Sequence, residues 1–119
     1  MAVSVKKLID DLELEVLAEG KEDIEISVND INRPGLQLAG FYNYFAPERI
    51  QVIGKAEWSF LDDMQIEVRK KRVKKYFSFD ISCLIITRGL EPHPEFISEA
   101  KKHKIWVLRS KLVTTNFIS

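Results

Sequence analysis

The sequence predicts an α/β fold, a three-layer sandwich about a mixed sheet, and three observations carry that reading. First, the last third reads strand, helix, strand. An apolar run at Cys83 to Thr87 meets a turn at Gly89, a helix begins near Pro94 with Phe96, Ile97 and Ala100, and a second apolar run covers Ile105 to Leu108. Two short strands joined by one helix are expected to lie parallel, with a right-handed crossover. Second, Ile24, Ile26 and Val28 alternate with Glu25 and Ser27, the pattern of a strand with one wet face. With the shorter run Leu14 to Leu17 across Gly20 it predicts antiparallel strands at the N-terminal end. Third, two amphipathic helical stretches separate these halves, so apolar helix faces are available to cover the sheet. Parallel and antiparallel pairing together make the sheet mixed.

Taken in order, Ser4 is placed to cap a helix whose Val5, Leu8, Ile9 and Leu12 share one face, leaving Lys6, Lys7, Asp10 and Asp11 to solvent, and which ends near Glu13. Asn29, Asp30 and Asn32 favour local turns after the second strand. Pro34 suits the start of a single helical turn through Leu36 and Leu38, and Gly35 and Gly40 bracket it. Phe41 to Phe45 is aromatic without a clear period. Pro47 breaks the chain before the strand Ile50 to Ile53, which Gly54 closes. The first helical stretch carries Trp58 and Leu61; the second carries Ile66, Val73, Tyr76 and Phe77 at spacings that leave Arg69 to Arg72 outside. Gly54 and Gly89 follow strands, where positive φ or close approach is expected. Without an internal repeat or a break in composition, residues 1–119 read as one domain.

The charge is balanced, with 18 basic and 18 acidic residues. Neither a nucleic acid nor a membrane is demanded as a partner. No stretch approaches the roughly 18 consecutive apolar residues of a spanning helix, and the opening MAVSVKKLIDDL carries acids where a secretory signal is apolar, so a cytoplasmic location is expected. The single cysteine, Cys83, sits among Leu84, Ile85 and Ile86 and reads as a buried strand residue.

Local motifs for chemistry are missing from the sequence. Phosphoryl transfer of the P-loop type needs GxxxxGK[ST], whose amides and lysine cradle phosphate while the hydroxyl holds magnesium. None of the five glycines begins such a run. No GxSxG elbow is present, and His93 and His103 lack a nearby Cys/His set, so the reading assigns no catalytic residue and no metal site and treats both histidines as turn or surface residues. The run Arg69, Lys70, Lys71, Arg72, Lys74, Lys75 reads as a solvated helix face suited to the C-terminal end of the dipole. Loop cations at strand ends are better candidates for binding: Arg33, Arg88, Arg109 and Lys111, with Thr114 or Thr115 as neutral donors. In open α/β sheets ligands collect at the carboxyl ends of parallel strands. The competing reading pairs each arginine with a carboxylate such as Glu91 or Glu95.

Three segments carry a longer signature: DINRPGLQLAGFYNYFAPERIQVIGKAE (Asp30 to Glu57), ITRGLEPHPEF (Ile86 to Phe96) and VLRSKLVTTNFIS (Val107 to Ser119). Within them RPGLxLAG, QxxGKxE and TRGLEP hold Pro34, Gly35, Gly40, Gly54 and Gly89 as structural positions. The chain thereby resembles the N-terminal domain of bacterial HPr kinase/phosphorylase, over essentially its whole length. That resemblance implies a parent enzyme that phosphorylates and dephosphorylates a serine of the phosphocarrier HPr in carbon catabolite control. It implies ATP or pyrophosphate with magnesium in a C-terminal P-loop kinase domain beyond Ser119, and no cofactor in this chain. The present domain would serve assembly or regulation, with its own kinase domain, other subunits of a homo-oligomer and, through the parent, HPr as partners. The fold would be similar to the UDP-binding first domain of Mur ligases. Two other readings stay open on the residues alone: a free-standing sensor of a phosphorylated metabolite or nucleotide sugar, and a pure protein-interaction domain. Any self-contact is expected at Phe41 to Phe45 or around Trp58.

Overall fold

The computed structural model describes residues 2–112. Its elements in chain order are β1 (Ala2–Ser4), α1 (Val5–Leu12), β2 (Glu15–Ala18), β3 (Glu25–Asn32), α2 (Gly35–Leu38), β4 (Arg49–Ile53), α3 (Lys55–Asp63), α4 (Ile66–Phe77), β5 (Cys83–Ile86), α5 (Pro94–His103) and β6 (Trp106–Arg109). The first helix starts as its cap dictates: Ser4 Oγ accepts from the Lys7 amide at 3.1 Å. It stops where Glu13 turns left-handed, with φ 52°. No helix among the described residues is long and apolar enough to cross a membrane.

Among the described residues the six strands form one mixed sheet in the order β1-β3-β4-β5-β6-β2. The four inner strands are mutually parallel, and β1 and β2 run antiparallel at the two edges. The crossover through α5 therefore joins parallel neighbours, as the strand lengths require. The N-terminal strands differ from expectation. Instead of pairing with each other across Gly20, β2 pairs with β6 and β3 pairs with β1 and β4. The loop at Gly20 crosses from one side of the sheet to the other, and β1, only three residues long, is too short to announce itself in sequence.

Side-chain alternation along the inner strands builds two cores, giving three layers. Ile53, Leu84, Ile86 and Val107 face α2 to α5 and pack with Leu38, Leu61, Val73, Tyr76, Phe77, Phe96 and Ala100. Ile50, Val52, Cys83, Ile85, Trp106 and Leu108 face the other way, onto Val5 and Leu8 of α1. Burial pushes the Cys83 thiol up to about 12, so it stays protonated and behaves as a small apolar residue.

Gly20 is required for close approach. A Cβ added there would lie 2.4 Å from Trp106 Cδ1 and 2.5 Å from the Trp106 backbone nitrogen. The same loop is tied to Trp106 by the indole N–H, which donates to the Lys21 carbonyl at 2.8 Å. Gly20→Ala is therefore expected to lower stability by about 1–3 kcal/mol through overpacking against backbone that cannot yield. Urea unfolding checks this; a variant as stable as the parent chain would show that the loop moves aside freely.

Candidate functional site at the carboxyl end of the sheet

Because β3 to β6 are parallel, their carboxyl ends, with Arg33, Gly54, Thr87 and Ser110 just beyond, lie along one side of the domain. The floor of this side is a polar network inside the core. Gln51 of β4, fully buried, points toward the helical layer between apolar neighbours. Its Oε1 accepts from Asn32 Nδ2 at 2.8 Å and from the Tyr76 hydroxyl at 3.0 Å, and its Nε2 donates to the carbonyls of Ala46 and Arg49. Asn32 also donates to Gln37 Oε1 at 3.2 Å. These bonds fasten α2 and the segment after it to β4. Tyr42 and Phe45 are held as well, Tyr42 stacked on Phe79 at 4.6 Å and Phe45 edge-on to it at 5.3 Å. Phe41 and Tyr44 remain exposed, with Tyr44 in the left-handed region at φ 63°.

Above the floor, a buried carboxylate joins two strand ends. Glu57 Oε1 accepts from the Gly54 amide at 2.8 Å and from Arg33 at 2.7 Å. This answers a free amide at the start of α3 and also engages the Arg33 charge. Gly54 itself is extended, φ −111°, so the expected positive φ is absent there. Gly35 likewise lies within α2 with open space around its Cα, whereas Gly40 and Gly89 do adopt positive φ, 102° and 61°. Pro34 precedes α2 as its N-cap. Thr87 closes the next strand pair, its hydroxyl donating to the Ile53 carbonyl at 3.0 Å.

Arg88 and Gly89 form a turn in which both residues have positive φ. The Arg88 amide donates to the Leu112 carbonyl at 2.7 Å and the Gly89 amide to the Ser110 carbonyl at 2.8 Å. Arg88 and Arg109 thus emerge from neighbouring strands at the same end of the sheet. Their charges differ in circumstance. Arg109 makes a forked contact with Glu15, at 2.9 and 3.0 Å to the two oxygens, and a further one with Glu91 at 3.0 Å. Hydrogen bonds to Glu15 and then Glu91 hold its guanidinium still more firmly protonated. Arg88 and Lys111 are exposed and have no carboxylate within salt-bridge reach among the described residues. Thr114 and Thr115 lie outside the described residues.

Three residues contradict the expectation of exposed polar side chains. Arg69 is buried, its guanidinium forked onto Glu95 at 3.1 Å through both Nε and Nη2, with the two side chains 10% and 11% exposed. Arg72 is half-buried and donates to the Leu38 carbonyl at 3.0 Å, so of the basic run only the lysines form a solvated face. His93, read as a turn or surface residue, is instead only 8% exposed. It is the N-cap residue of α5, stacked on Trp58 at 5.0 Å, with Nε2 3.1 Å from Asp62 Oδ1. The only sequence signal for Arg69 was its helical spacing with Val73, four residues on; for Gln51 it was one amide inside an otherwise apolar strand.

This architecture has relatives. A curated HPr kinase/phosphorylase of Clostridium beijerinckii is 88% identical over 119 residues, all of this chain and 39% of that protein. One from Clostridium perfringens is 67% identical over the same span and share. The chain thus spans about two fifths, 39%, of the length of these relatives. Among solved structures, the CBS and DRTGG domains of the regulatory region of Clostridium perfringens pyrophosphatase, complexed with diadenosine tetraphosphate, match with a TM-score of 0.66 at 19% identity. The match covers 96% of this chain and 44% of that one. At that identity the likeness concerns the fold alone. The family described as HPr Serine kinase N terminus matches residues 3–119, and with whole-chain identity of this order the protein belongs to that family.

Proposed function

We propose that this chain is the non-catalytic N-terminal domain of an HPr kinase/phosphorylase, with an assembly or regulatory task beside a separate phosphoryl-transfer domain. One observation carries the reading: the N-terminus family matches residues 3–119, while the whole chain covers only 39% of the Clostridium beijerinckii and Clostridium perfringens relatives. The local chemistry agrees. The sequence lacks a P-loop, and two of the strand-end arginines are engaged by carboxylates within the domain. ATP or pyrophosphate, magnesium and HPr would then be bound by the longer protein, in a homo-oligomer in the cytoplasm. These relatives favour the domain reading over a free-standing sensor. The 119-residue chain, mixed with HPr, labelled ATP and magnesium, is expected to transfer no phosphate, whereas a full-length relative does. Labelled HPr formed by the chain alone would overturn the proposal.

A lesser role for the carboxyl end is an anion contact at Arg88 and Lys111, the two strand-end candidates with no carboxylate in reach among the described residues. Being exposed, they would bind a phosphate ester weakly and with strong salt dependence. Arg88→Ala should remove the signal in a phosphate titration at low ionic strength, and an unchanged signal would discard the site.

A further inference from the structure

We propose that His93 is a pH-sensitive latch on the seam between α3 and α5: neutral, it seals the seam, and protonated, it opens it. Only the regulatory use of such a latch rests on the function proposed above; the latch can fail while the chain remains a non-catalytic domain.

The imidazole is buried at the N-terminus of α5, and its two nitrogens have different surroundings. Nε2 meets Asp62 Oδ1 at 3.1 Å, while Nδ1 is buried with no hydrogen-bond partner among the described residues. A neutral ring fits this arrangement, with the Nε2 proton given to Asp62 and Nδ1 left as a bare lone pair among apolar groups. Its surroundings are Ile53, Leu61, Ile86, Pro92 and Phe96, about a cavity of about 10 Å³, with Trp58 stacked on one side. Protonation adds an N–H at Nδ1, where no acceptor is at hand, and a buried unmade donor is destabilising. It also places positive charge at a helix N-terminus, the unfavourable end of the dipole.

Charged groups around the ring decide how far this is offset. On α3, Asp62 attracts the imidazolium, but its side chain is 55% exposed and water screens it. Lys55, also on α3, lies 4.9 Å over the Trp58 ring on which His93 stacks, and repels. On α5, Glu95 feels the His93 charge but is already forked onto Arg69 of α4. Glu91, in the preceding loop, is bound to Arg109. The unanswered Nδ1–H therefore outweighs the attraction, and the ring leaves its pocket for water. Departure removes the stack on Trp58 and frees the indole N–H from the Glu91 carbonyl, which it meets at 2.7 Å in the closed form.

The chain carries its own controls. Its two histidines and two tryptophans give separate nuclear magnetic resonance signals. His103, part-exposed on the last turn of α5, gives the other ring signal and lies outside this pocket. The Trp106 indole, bonded to Lys21 on the opposite core, corrects for the intrinsic pH dependence of proton exchange. Between about pH 7.5 and about pH 5.5, the ratio of Trp58 to Trp106 indole exchange rates is expected to rise about tenfold in step with His93 ring protonation. In His93→Gln the ratio should stay flat. The latch is overturned if the wild-type ratio is constant while His93 protonates, if His93 stays neutral throughout that range, or if the ratio rises equally in the glutamine variant. Should that variant not fold, the wild-type comparison of ring protonation with indole exchange decides alone.

Discussion

Gln51→Leu is expected to destabilise the domain by on the order of 3–5 kcal/mol, although leucine is apolar, of similar size and enters an apolar core. The loss comes from what remains behind. Removing the amide strands the Tyr76 hydroxyl and one Asn32 N–H, and takes one of two donors from the carbonyls of Ala46 and Arg49, which keep the Arg49 amide and the Ser82 hydroxyl. Tyr76 is itself fully buried, so water cannot substitute without opening the core. Tyr76→Phe alone should cost about 1 kcal/mol, because it removes one bond and leaves Gln51 with other partners. In the double variant the hydroxyl no longer needs an acceptor, so the two losses should fall short of adding. Urea unfolding of the four proteins tests the cycle. A loss under about 1 kcal/mol for Gln51→Leu would mean that the network is replaced by water at little cost.

Arg69→Ala should be nearly as severe, about 2–4 kcal/mol at neutral pH, because it leaves Glu95 charged, nine-tenths covered and without its partner. Removing both partners in Arg69→Ala with Glu95→Ala should recover part of this, since no isolated charge then remains. The pH dependence gives a second test. Burial pushes the Glu95 carboxyl up, but the hydrogen bonds and charge of Arg69 outweigh it and hold it below the ordinary carboxylate range. A depressed carboxylate contributes stability that is fully present above its unfolded-state value and is lost as pH falls through the folded-state value. The native chain should therefore lose this contribution on acidification below about pH 4.5. In Arg69→Ala the hydrogen bonds and charge of Arg69 are gone and only Glu95's own backbone hydrogen bond and His93 still oppose burial, so the depression, and with it the loss of stability in acid, should shrink. Unfolding free energies measured from about pH 3 to pH 7 distinguish the two slopes; parallel slopes would show that Arg69 does not control Glu95.

Local interactions were legible in the sequence because their partners are close in the chain. Ser4 and its helix, the one-turn α2 after Pro34, and the strand-helix-strand unit from Cys83 to Arg109 depend on caps, turns and periodicity within a few residues. The parallel pairing of β5 with β6 follows from the helix between them, and with it the common exit of Arg88 and Arg109. The RPGLxLAG, QxxGKxE and TRGLEP patterns carried the family, which the match over residues 3–119 then showed.

Tertiary structure decided the rest, because its determinants are separated in sequence and share no period. Glu15 meets Arg109 across most of the chain, so no local pattern could show that this arginine is already engaged. Gly20 looked like a turn residue, yet its need is steric and set by Trp106. Arg69 sits in a basic run that charge patterning assigns to solvent, and only the packing of α4 on α5 brings Glu95 over it. His93 follows the same logic, since a histidine before a proline reads as a turn until Trp58 and Asp62 of another helix close around it. A chain's composition and periodicity determine which face of each element is apolar; which polar residue is buried on that face depends on whether the fold supplies a partner to offset its desolvation.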